Sequence, residues 1–415
     1  MTIAEGSAAT LRYKPYVSGE MDPDTIADRS SDPGSSGGQL LRRVSASLNM
    51  RVNSTDSAEI LPSLQKRSSR HTRKFVDGSI SGELSPGTYF ELIEAVHRDT
   101  AAAFVTKSNS DYTSLTADNA TETLTLGGGN PAGDGLKVGD IIEPSGCSVA
   151  ANNRQFQIVA MSGTNGRTLK VYPAPTDMTA DTSFSLARAG KASMVPASSH
   201  VKRKFLFERH NSDLDRSRLF EECRVVGYRI TIPAEGNATI ELMLMGRKRT
   251  TVSSGSAPFF SAPTAITSTE VVNTLNGTVY LDGARIGLVT SLQLTFQLAA
   301  DAPAVLGQAF PPDILLGVAN VGVELGFLLD SDDTAATILE NETEVAVLAL
   351  LTSGDFATAD SISFCLPRVK INSADEPMQG EGSQAVSCQG KALEYVGSGT
   401  GVPATTVRIH DTAAA

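Results

Sequence analysis

The sequence contains no tryptophan, and aromatic residues make up only 6% of its 415 positions. Hydrophobic residues still account for 40%, which is enough for real cores, and Gly, Ser, Thr and Ala fill much of the remainder. This mixture is typical of many short strands joined by turns of small residues. The sequence has no run of about 18 apolar residues and does not begin with the basic and then apolar layout of a secretory signal. We therefore expect a soluble protein that is not exported.

Cysteine and basic residues are also scarce. The four cysteines, Cys147, Cys223, Cys365 and Cys388, are widely spaced, with no C-x-x-C pair and no histidine at ligand spacing. We expect ordinary buried thiols there rather than a metal site. The 35 Lys and Arg against 46 Asp and Glu give a net charge of -11, which argues against general nucleic-acid binding because that needs clustered basic residues.

The length of the chain suggests two or three domains. Residues 1–40 are rich in Gly, Pro, Asp and Ser and have too few apolar residues to build a core of their own. We therefore expect an N-terminal arm, which is either a disordered tail or a segment that orders against a neighbouring subunit.

Alternating polarity after the arm predicts β-strands and then a helix. Val44, Ala46, Leu48 and Met50 alternate with polar residues, as in a half-buried strand. Residues 75–84 form a second strand-like stretch. A helix is expected to open at Ser85-Pro86, because serine caps the first turn and proline fits the first helical position. Its buried face would consist of Tyr89, Leu92, Ile93 and Val96.

Two sets of residues recur along the chain, each at a constant offset. Ser47-Leu48 recurs as Ser291-Leu292, and the pattern Gly78, Gly82, Leu84 recurs at the same offset as Gly322, Gly326, Leu328. At a second offset, Phe220, Arg224, Val225, Gly236 and Gly246 match Phe364, Arg368, Val369, Gly380 and Gly390. A constant offset over separated motifs indicates an internal duplication. We predict a first β domain of residues 41–104 and 201–260, and a second of residues 261–415.

The first copy contains residues that the second lacks. Residues 105–200 include strand-like stretches at 136–142, 155–159 and 168–172 and a Gly/Asn turn at 162–166. Short strands and tight turns in so small a span indicate a small β-barrel domain inserted into a loop. The predicted fold class is therefore mainly β.

The two copies differ in charge. Residues 40–104 and 201–250 together carry 20 basic and 14 acidic side chains, whereas residues 251–415 carry 5 and 18. Opposite signs suit a ring in which the two domains alternate; the alternative is that each charge set solvates its own surface. The dense basic run, formed by Lys66, Arg67, Arg70, Arg73 and Lys74, is a candidate for pairing with the acidic second copy.

Candidate catalytic motifs fail on inspection. The stretch Gly78–Gly82 has Ile80 where a nucleophile elbow needs serine. The glycine-rich run 128–133 is followed by Asp134, where a phosphate-binding loop needs lysine. The five histidines are scattered, and none lies at metal-ligand spacing. We expect no catalytic or cofactor-binding residue and no cofactor.

The acidic cluster Asp330–Asp333 has the first residues of a calcium loop. Ala335 and Asn341, however, occupy the positions that need glycine and a bidentate glutamate. A helix N-terminus capped by Asp333 is the preferred interpretation, so no metal site is predicted.

Several stretches resemble the tail tube proteins of long-tailed bacteriophages. They are residues 57–60, residues 76–89 with the sequence VDGSISGELSPGTY, Cys223-Arg224-Val225 leading to residues 232–236, and, in the second half, residues 364–372. The resemblance covers most of the chain outside the residues 105–200.

The resemblance implies two tandem β-sandwich domains, each with a flanking helix, and stacked rings that form a hollow tube. Three chains would close a ring with pseudo-six-fold symmetry, with hexamers as the alternative. Expected partners are copies of the same chain, a tape measure protein, a tail terminator, and double-stranded DNA that passes through the lumen without specific binding; no membrane is involved. The protein would belong to the virion tail, assembled in the host bacterial cytoplasm.

Other functions stay open from the residues alone. The main alternative is a surface-decoration or host-attachment binding protein, and an enzyme is the least favoured class. Lumen residues cannot be assigned from sequence, because strand register decides which face each side chain takes.

Overall fold

The computed structural model describes residues 5–60, 62–63, 65–101, 103–253, 255–328, 342–375 and 384–414. In this part of the chain almost all regular structure is antiparallel strand, and one α-helix is present. The predicted mainly β class is confirmed. The residues expected to cap a helix near Asp333 lie outside the described residues, as does the acidic cluster that resembles a calcium loop.

The elements follow one another in three groups along the chain. The first holds β1 (Ala9–Pro15), β2 (Gln39–Leu40), β3 (Ser45–Ala46), β4 (Asn49–Asp56), β5 (Ser69–Glu83) and helix α1 (Phe90–His97). The second holds β6 (Lys107–Ser108), β7 (Ser114–Asp118), β8 (Thr123–Gly127), β9 (Ile141–Ser145), β10 (Phe156–Ser162), β11 (Thr168–Tyr172), β12 (Met178–Asp181), β13 (Ser185–Arg188) and β14 (Lys191–Met194).

The third group completes the chain. It holds β15 (Phe205–Asn211), β16 (Arg216–Ile232), β17 (Thr239–Gly246), β18 (Lys248–Val252), β19 (Thr278–Leu281), β20 (Ala284–Ile286), β21 (Val289–Asp301), β22 (Leu315–Leu328), β23 (Glu344–Thr352), β24 (Ser361–Asp375), β25 (Ala385–Ala392) and β26 (Arg408–Asp411).

Two sets of six strands have the same antiparallel order. The first runs β1-β15-β16-β17-β5-β4, and the second runs β19-β23-β24-β25-β22-β21. Their irregularities also match: the register shifts between Val52 and Ser54 in β4 and between Leu298 and Ala300 in β21. We call the two sets the first and second half.

The matching bulges correct the second of the two offsets taken from the sequence. The β16–β17 register shifts after Val225, and the β24–β25 register shifts after Ile371, so Val225 corresponds to Ile371 rather than to Val369. The difference is two residues. An even displacement along a strand preserves which face a side chain takes, and for that reason the sequence match looked equally good.

Strands β16 and β24 each contribute to two layers. The N-terminal part of β16 pairs with β15 and β18, and its C-terminal part pairs with β17. That C-terminal part also pairs with β21, from Gly227 opposite Gln297 to Ile232 opposite Leu292. We call this pairing the joint, because it connects the first half to the second. Both halves pack on one hydrophobic core that includes Tyr228, Leu242 and Phe296.

The N-terminal segment is built into the first half. Strand β1 pairs with β15 along its whole length, and Leu11 and Tyr13 are buried in the main core. Farther along, Arg247 donates hydrogen bonds to the carbonyls of Asp22 and Thr25. This differs from the arm expected from the sequence, because two apolar residues at strand spacing suffice to bury one face of β1 against Phe207.

Helix α1 begins later than predicted. It runs from Phe90, and Ser85 does not cap it: its hydroxyl lies 2.7 Å from that of Thr88 in a preceding turn. The predicted buried face is correct for Leu92, Ile93 and Val96.

Two glycines of the VDGSISGEL stretch make room for close neighbours. A Cβ on Gly78 would lie 2.7 Å from the carbonyl oxygen of Ser47, and one on Gly82 would lie 1.9 Å from the hydroxyl of Tyr89. That hydroxyl instead donates a hydrogen bond to the carbonyl of Arg42, 2.8 Å away. The predicted continuous strand at 44–50 is divided into β3 and β4 where the chain passes Gly78, and Val44 is exposed while Leu48 is buried.

Residues 107–188 form their own eight-stranded sheet, in the order β12-β7-β8-β11-β10-β9-β13-β6. This middle segment has a separate core that includes Leu124, Phe156, Leu169 and Leu186. It contacts the second half through buried polar groups described below.

Candidate functional site

The joint produces one continuous row of eight antiparallel strands. The order is β4-β5-β17-β16-β21-β22-β25-β24. Because side chains alternate between the two faces of a strand, one face of this row packs into the main core. The other face of the eight strands is open, and we call it the polar face.

The polar face carries charged, amide and hydroxyl side chains. Strand register, which the sequence could not supply, now assigns them. They include Asn49, Arg51, Asp77, Ser79, Ser81, Glu83, Arg229, Thr231, Thr239, Glu241, Gln293, Thr295, Gln297, Asn320, Glu324, Lys370, Ser373, Asp375, Ser387, Gln389 and Lys391, all exposed or half-buried. Acidic side chains outnumber basic ones. Two of the basic ones pair on the face itself, Arg51 with Asp77 at 3.2 Å and Arg229 with Glu241 at 3.8 Å.

Behind the joint, aromatic rings hold the two halves together. Tyr228 of β16 stacks on Phe296 of β21 with 5.3 Å between ring centroids. The imidazole of His97 lies beside them, with Nε2 2.9 Å from the Tyr228 hydroxyl and Nδ1 2.9 Å from the Ser193 hydroxyl. Burial lowers the pKa of His97 to about 3, so the ring is neutral at physiological pH.

The loop between β21 and β22, residues 302–314, covers the first half next to the joint. Asp313 pairs with buried Arg224 at 3.0 Å. Arg247 donates a hydrogen bond to the carbonyl of Pro311 at 2.7 Å, and the Lys74 amide donates one to the carbonyl of Ala309 at 2.9 Å. The loop therefore acts as a clamp that fixes the hairpin of one half on the other.

The row of eight strands has two open edges. In the described residues β4 pairs along its length with β5 alone, and every residue from Asn49 to Asp56 except Met50 is exposed. At the other end, the pairing of β24 with β23 stops at Lys370, and among the described strands Ser373–Asp375 pair only with β25. Unpaired backbone groups on a long edge strand are a template for another strand.

The basic run predicted from the sequence lies on the hairpin of β4 and β5. Lys66, Arg67 and Arg70 are exposed, and Lys66 forms an ion pair with Asp56. Arg73 is turned inward instead and donates a hydrogen bond to the carbonyl of Ala302. The structure thus separates the run into an exposed tip and two residues, Arg73 and Lys74, that bond to the clamp loop.

A buried polar network joins the middle segment to the second half. Asp140 accepts hydrogen bonds from Arg408, with a closest distance of 2.8 Å, and lies 3.1 Å from Arg188. Burial alone would raise the pKa of Asp140, but the charges of Arg408 and Arg188 outweigh it and hold the pKa below its usual range. Gln157 adds a hydrogen bond to Ser363 at 2.8 Å. No sequence motif marks these residues, since they meet only in the fold.

The cysteines and the candidate metal-ligating residues show no arrangement typical of a reactive site in the described part of the chain. All four cysteine side chains are buried, and burial raises the pKa of Cys147 to about 11 and that of Cys365 to about 12. Within the described residues no cluster of His, Cys, Asp and Glu could hold a metal ion. In that same part of the chain no helix is long and apolar enough to cross a membrane.

Comparison with protein families gives one match. A family model described as a phage tail tube protein matches residues 6–395, which include both halves, the joint and the middle segment. Among curated proteins, none matches the chain.

Proposed function

The chain belongs to the phage tail tube protein family, a family of structural tail proteins, and from this premise we propose that copies of it assemble into stacked rings around a channel for DNA. Each ring would contain three chains, whose six halves alternate around it. The middle segment would lie on the outside, and the rings would be assembled in the host cytoplasm before they join the virion tail.

The observation that carries the proposal is the row of eight strands with two open edges. One face of this sheet packs on the core and the other is polar, but the edge strand at each end has unpaired backbone groups. Those groups can pair with an edge strand of another copy, which extends the sheet. Closing such a sheet into a barrel removes every edge and with it the tendency to aggregate. The joint supports this proposal, because there the sheet of the first half already continues into the sheet of the second half by strand pairing.

The polar face has the chemistry that a DNA channel needs. Its hydroxyl and amide groups keep a layer of water, and the acidic excess repels phosphate, so that a passing duplex does not stick. Of the basic side chains on this face, Arg51 and Arg229 each pair with a carboxylate on the same face, and Lys370 pairs with Glu342. We propose that this face lines the lumen, where it would also contact the tape measure protein before DNA passes. The tail terminator would meet the last ring.

Negative-stain electron microscopy of the purified protein tests the proposal. We expect rings or long tubes with a central stain-filled channel. Monodisperse particles without a channel, at all protein and salt concentrations tried, would contradict it and would favour a surface-decoration or attachment protein instead.

A further inference from the structure

The two open edges are related to the joint by the internal duplication. The joint pairs β16 of the first half with β21 of the second. In the matching strand orders, β24 is the counterpart of β16 and β4 is the counterpart of β21. These two counterparts are the strands whose edges are open. Strands β24 and β4 lie at opposite ends of the row, so they can pair as β16 and β21 do only if they belong to two different chains.

We propose that the outer edge of β4 in one chain pairs antiparallel with the end of β24 in a second chain, with Asn49 opposite Asp375 and Arg51 opposite Ser373. This inference rests on the proposed function and gives its assembly contact a partner and a register.

The register follows from the matching bulges. Val225 before the bulge of β16 corresponds to Ile371 before that of β24, and Val52 before the bulge of β4 corresponds to Leu298 of β21. By the same displacement, Gly227, Tyr228 and Arg229 of β16 correspond to Ser373, Ala374 and Asp375 of β24. Across the joint these residues pair with Gln297, Phe296 and Thr295 of β21, which correspond to Arg51, Met50 and Asn49 of β4.

The side chains at this register are compatible on both faces. Met50 and Ala374 take the places of Phe296 and Tyr228 on the core side; both are half-buried in the single chain, and pairing would cover them. On the polar face Arg51 and Asp375 become diagonal neighbours, which lie close enough in an antiparallel pair for an ion pair. A slip of one residue would instead place Ser373 or Asp375, which belong to the polar face, opposite Met50, and the two faces would no longer match.

The loop 302–314 beside the joint also has a counterpart in the first half. The loop 302–314 clamps the second hairpin onto the first half, and its counterpart in the hairpin of β4 and β5 is the segment 57–68. In the described part of that segment every residue except Ser57 is exposed, and Ile60 is 97% exposed. In a second chain it would lie over the acidic second half, where the exposed Lys66, Arg67 and Arg70 meet opposite charge. The chain itself is therefore the occupant that fits both the edge and the loop.

Cysteine cross-linking tests the register. The variant with Asn49→Cys and Asp375→Cys places the two thiols in different chains, and the native cysteines are buried. On mild oxidation or with a short bis-maleimide we expect linked dimers and linked trimers on non-reducing gels. The single variants should give no such trimers.

Two further variants make the result decisive. Arg229→Cys with Thr295→Cys places thiols at the same positions of the joint, within one chain, and identifies the reagent that suits this strand geometry. Asn49→Cys with Ser373→Cys is slipped by two residues and should link at least 10-fold less with that reagent. Equal or better linking of the slipped pair, or no linking of the first pair with that reagent, would overturn the inference.

The same samples separate this inference from the proposed function. Tubes that form in the microscope without the expected cross-link would leave the proposed function intact and refute the pairing. Cross-linked rings that never stack would support the pairing and contradict the tube.

Discussion

Tyr228 and Phe296 stack face to face across the joint, with an angle of 11° between their rings and 5.3 Å between the centroids. The two residues belong to different halves of the duplication, and both are fully buried. The contact links the halves into one core. The open edges of the same sheet have Ala374 and Met50 at the corresponding positions, so the joint inside a chain has larger side chains than the proposed joint between chains.

Replacing Phe296 with alanine should cost about 3–5 kcal/mol of unfolding free energy, the usual range for a large core side chain that leaves a cavity. Chemical denaturation followed by far-UV circular dichroism would measure it. Thr295→Ala, one residue away on the polar face, should change stability by about 0.5 kcal/mol or less. Similar losses in both variants would show that the stacked pair is not a main contact between the halves.

The contribution of His97 to stability should fall as the pH drops below about 6.5. The pKa of His97 is about 3 in the folded chain, below its ordinary value, so the unfolded state takes up the proton first as pH falls. At pH 5 this costs about 2 kcal/mol relative to pH 7.5. His97→Gln should change the profile only in part. His410, with a pKa lowered to about 4, contributes in the same direction as His97, whereas Asp411, whose burial raises its pKa to about 7, contributes in the opposite direction. An unchanged profile in His97→Gln would contradict the assignment.

Asp140→Asn should loosen the middle segment from the second half. It leaves Arg408 and Arg188 buried without a carboxylate, and breaking a buried ion pair in this way costs about 3–5 kcal/mol. Hydrogen exchange should become faster in residues 408–411 and in β9, while the first half stays protected. Glu143→Gln, on an exposed position of β9, is the control. Unchanged exchange in Asp140→Asn would show that apolar contacts alone hold the segment.

Charge reversal of Lys66, Arg67 and Arg70 to glutamate should weaken assembly at low salt, because these exposed residues would then repel the acidic second half of a neighbour. Pelleting of assembled material at different salt concentrations would show it. The charge-conserving set Lys66→Arg, Arg67→Lys and Arg70→Lys should assemble normally. If the glutamate set pellets as well as the parent chain, the basic tip is only a solvated surface.

Deleting residues 1–40 should destabilise the first half, since it removes β1 and the buried Leu11 and Tyr13. We expect a lower melting temperature and a loss of soluble protein, which would precede any effect on ring stacking. Removal of residues 1–7 leaves β1 intact and serves as the matched deletion. A full deletion that folds normally but forms no tubes would instead support a role of the segment between rings.

The sequence predicted much of the fold where a local pattern was enough. Periodic apolar residues identified the buried face of α1 at Leu92, Ile93 and Val96, but not its first residue, because Ser85 bonds Thr88 in a turn instead of capping the helix. The duplication was recognised from short matches, but the match of Val225 was two residues out and the match of Gly78, which corresponds to Val323, was one residue out. Bulges after Val225 and Ile371 fix the true correspondence, and a bulge is defined only by the partner strand.

The sequence predicted that copies of a β-rich chain with oppositely charged parts would assemble, but it did not identify the residues of the assembly surface. Composition and charge gave a β-rich chain with halves of opposite sign, and these are properties that each residue contributes on its own. The polar face, the joint and the network around Asp140 depend on which strands become neighbours and in what register. Those pairings bring together residues that are far apart in the chain, so only the tertiary structure decides them.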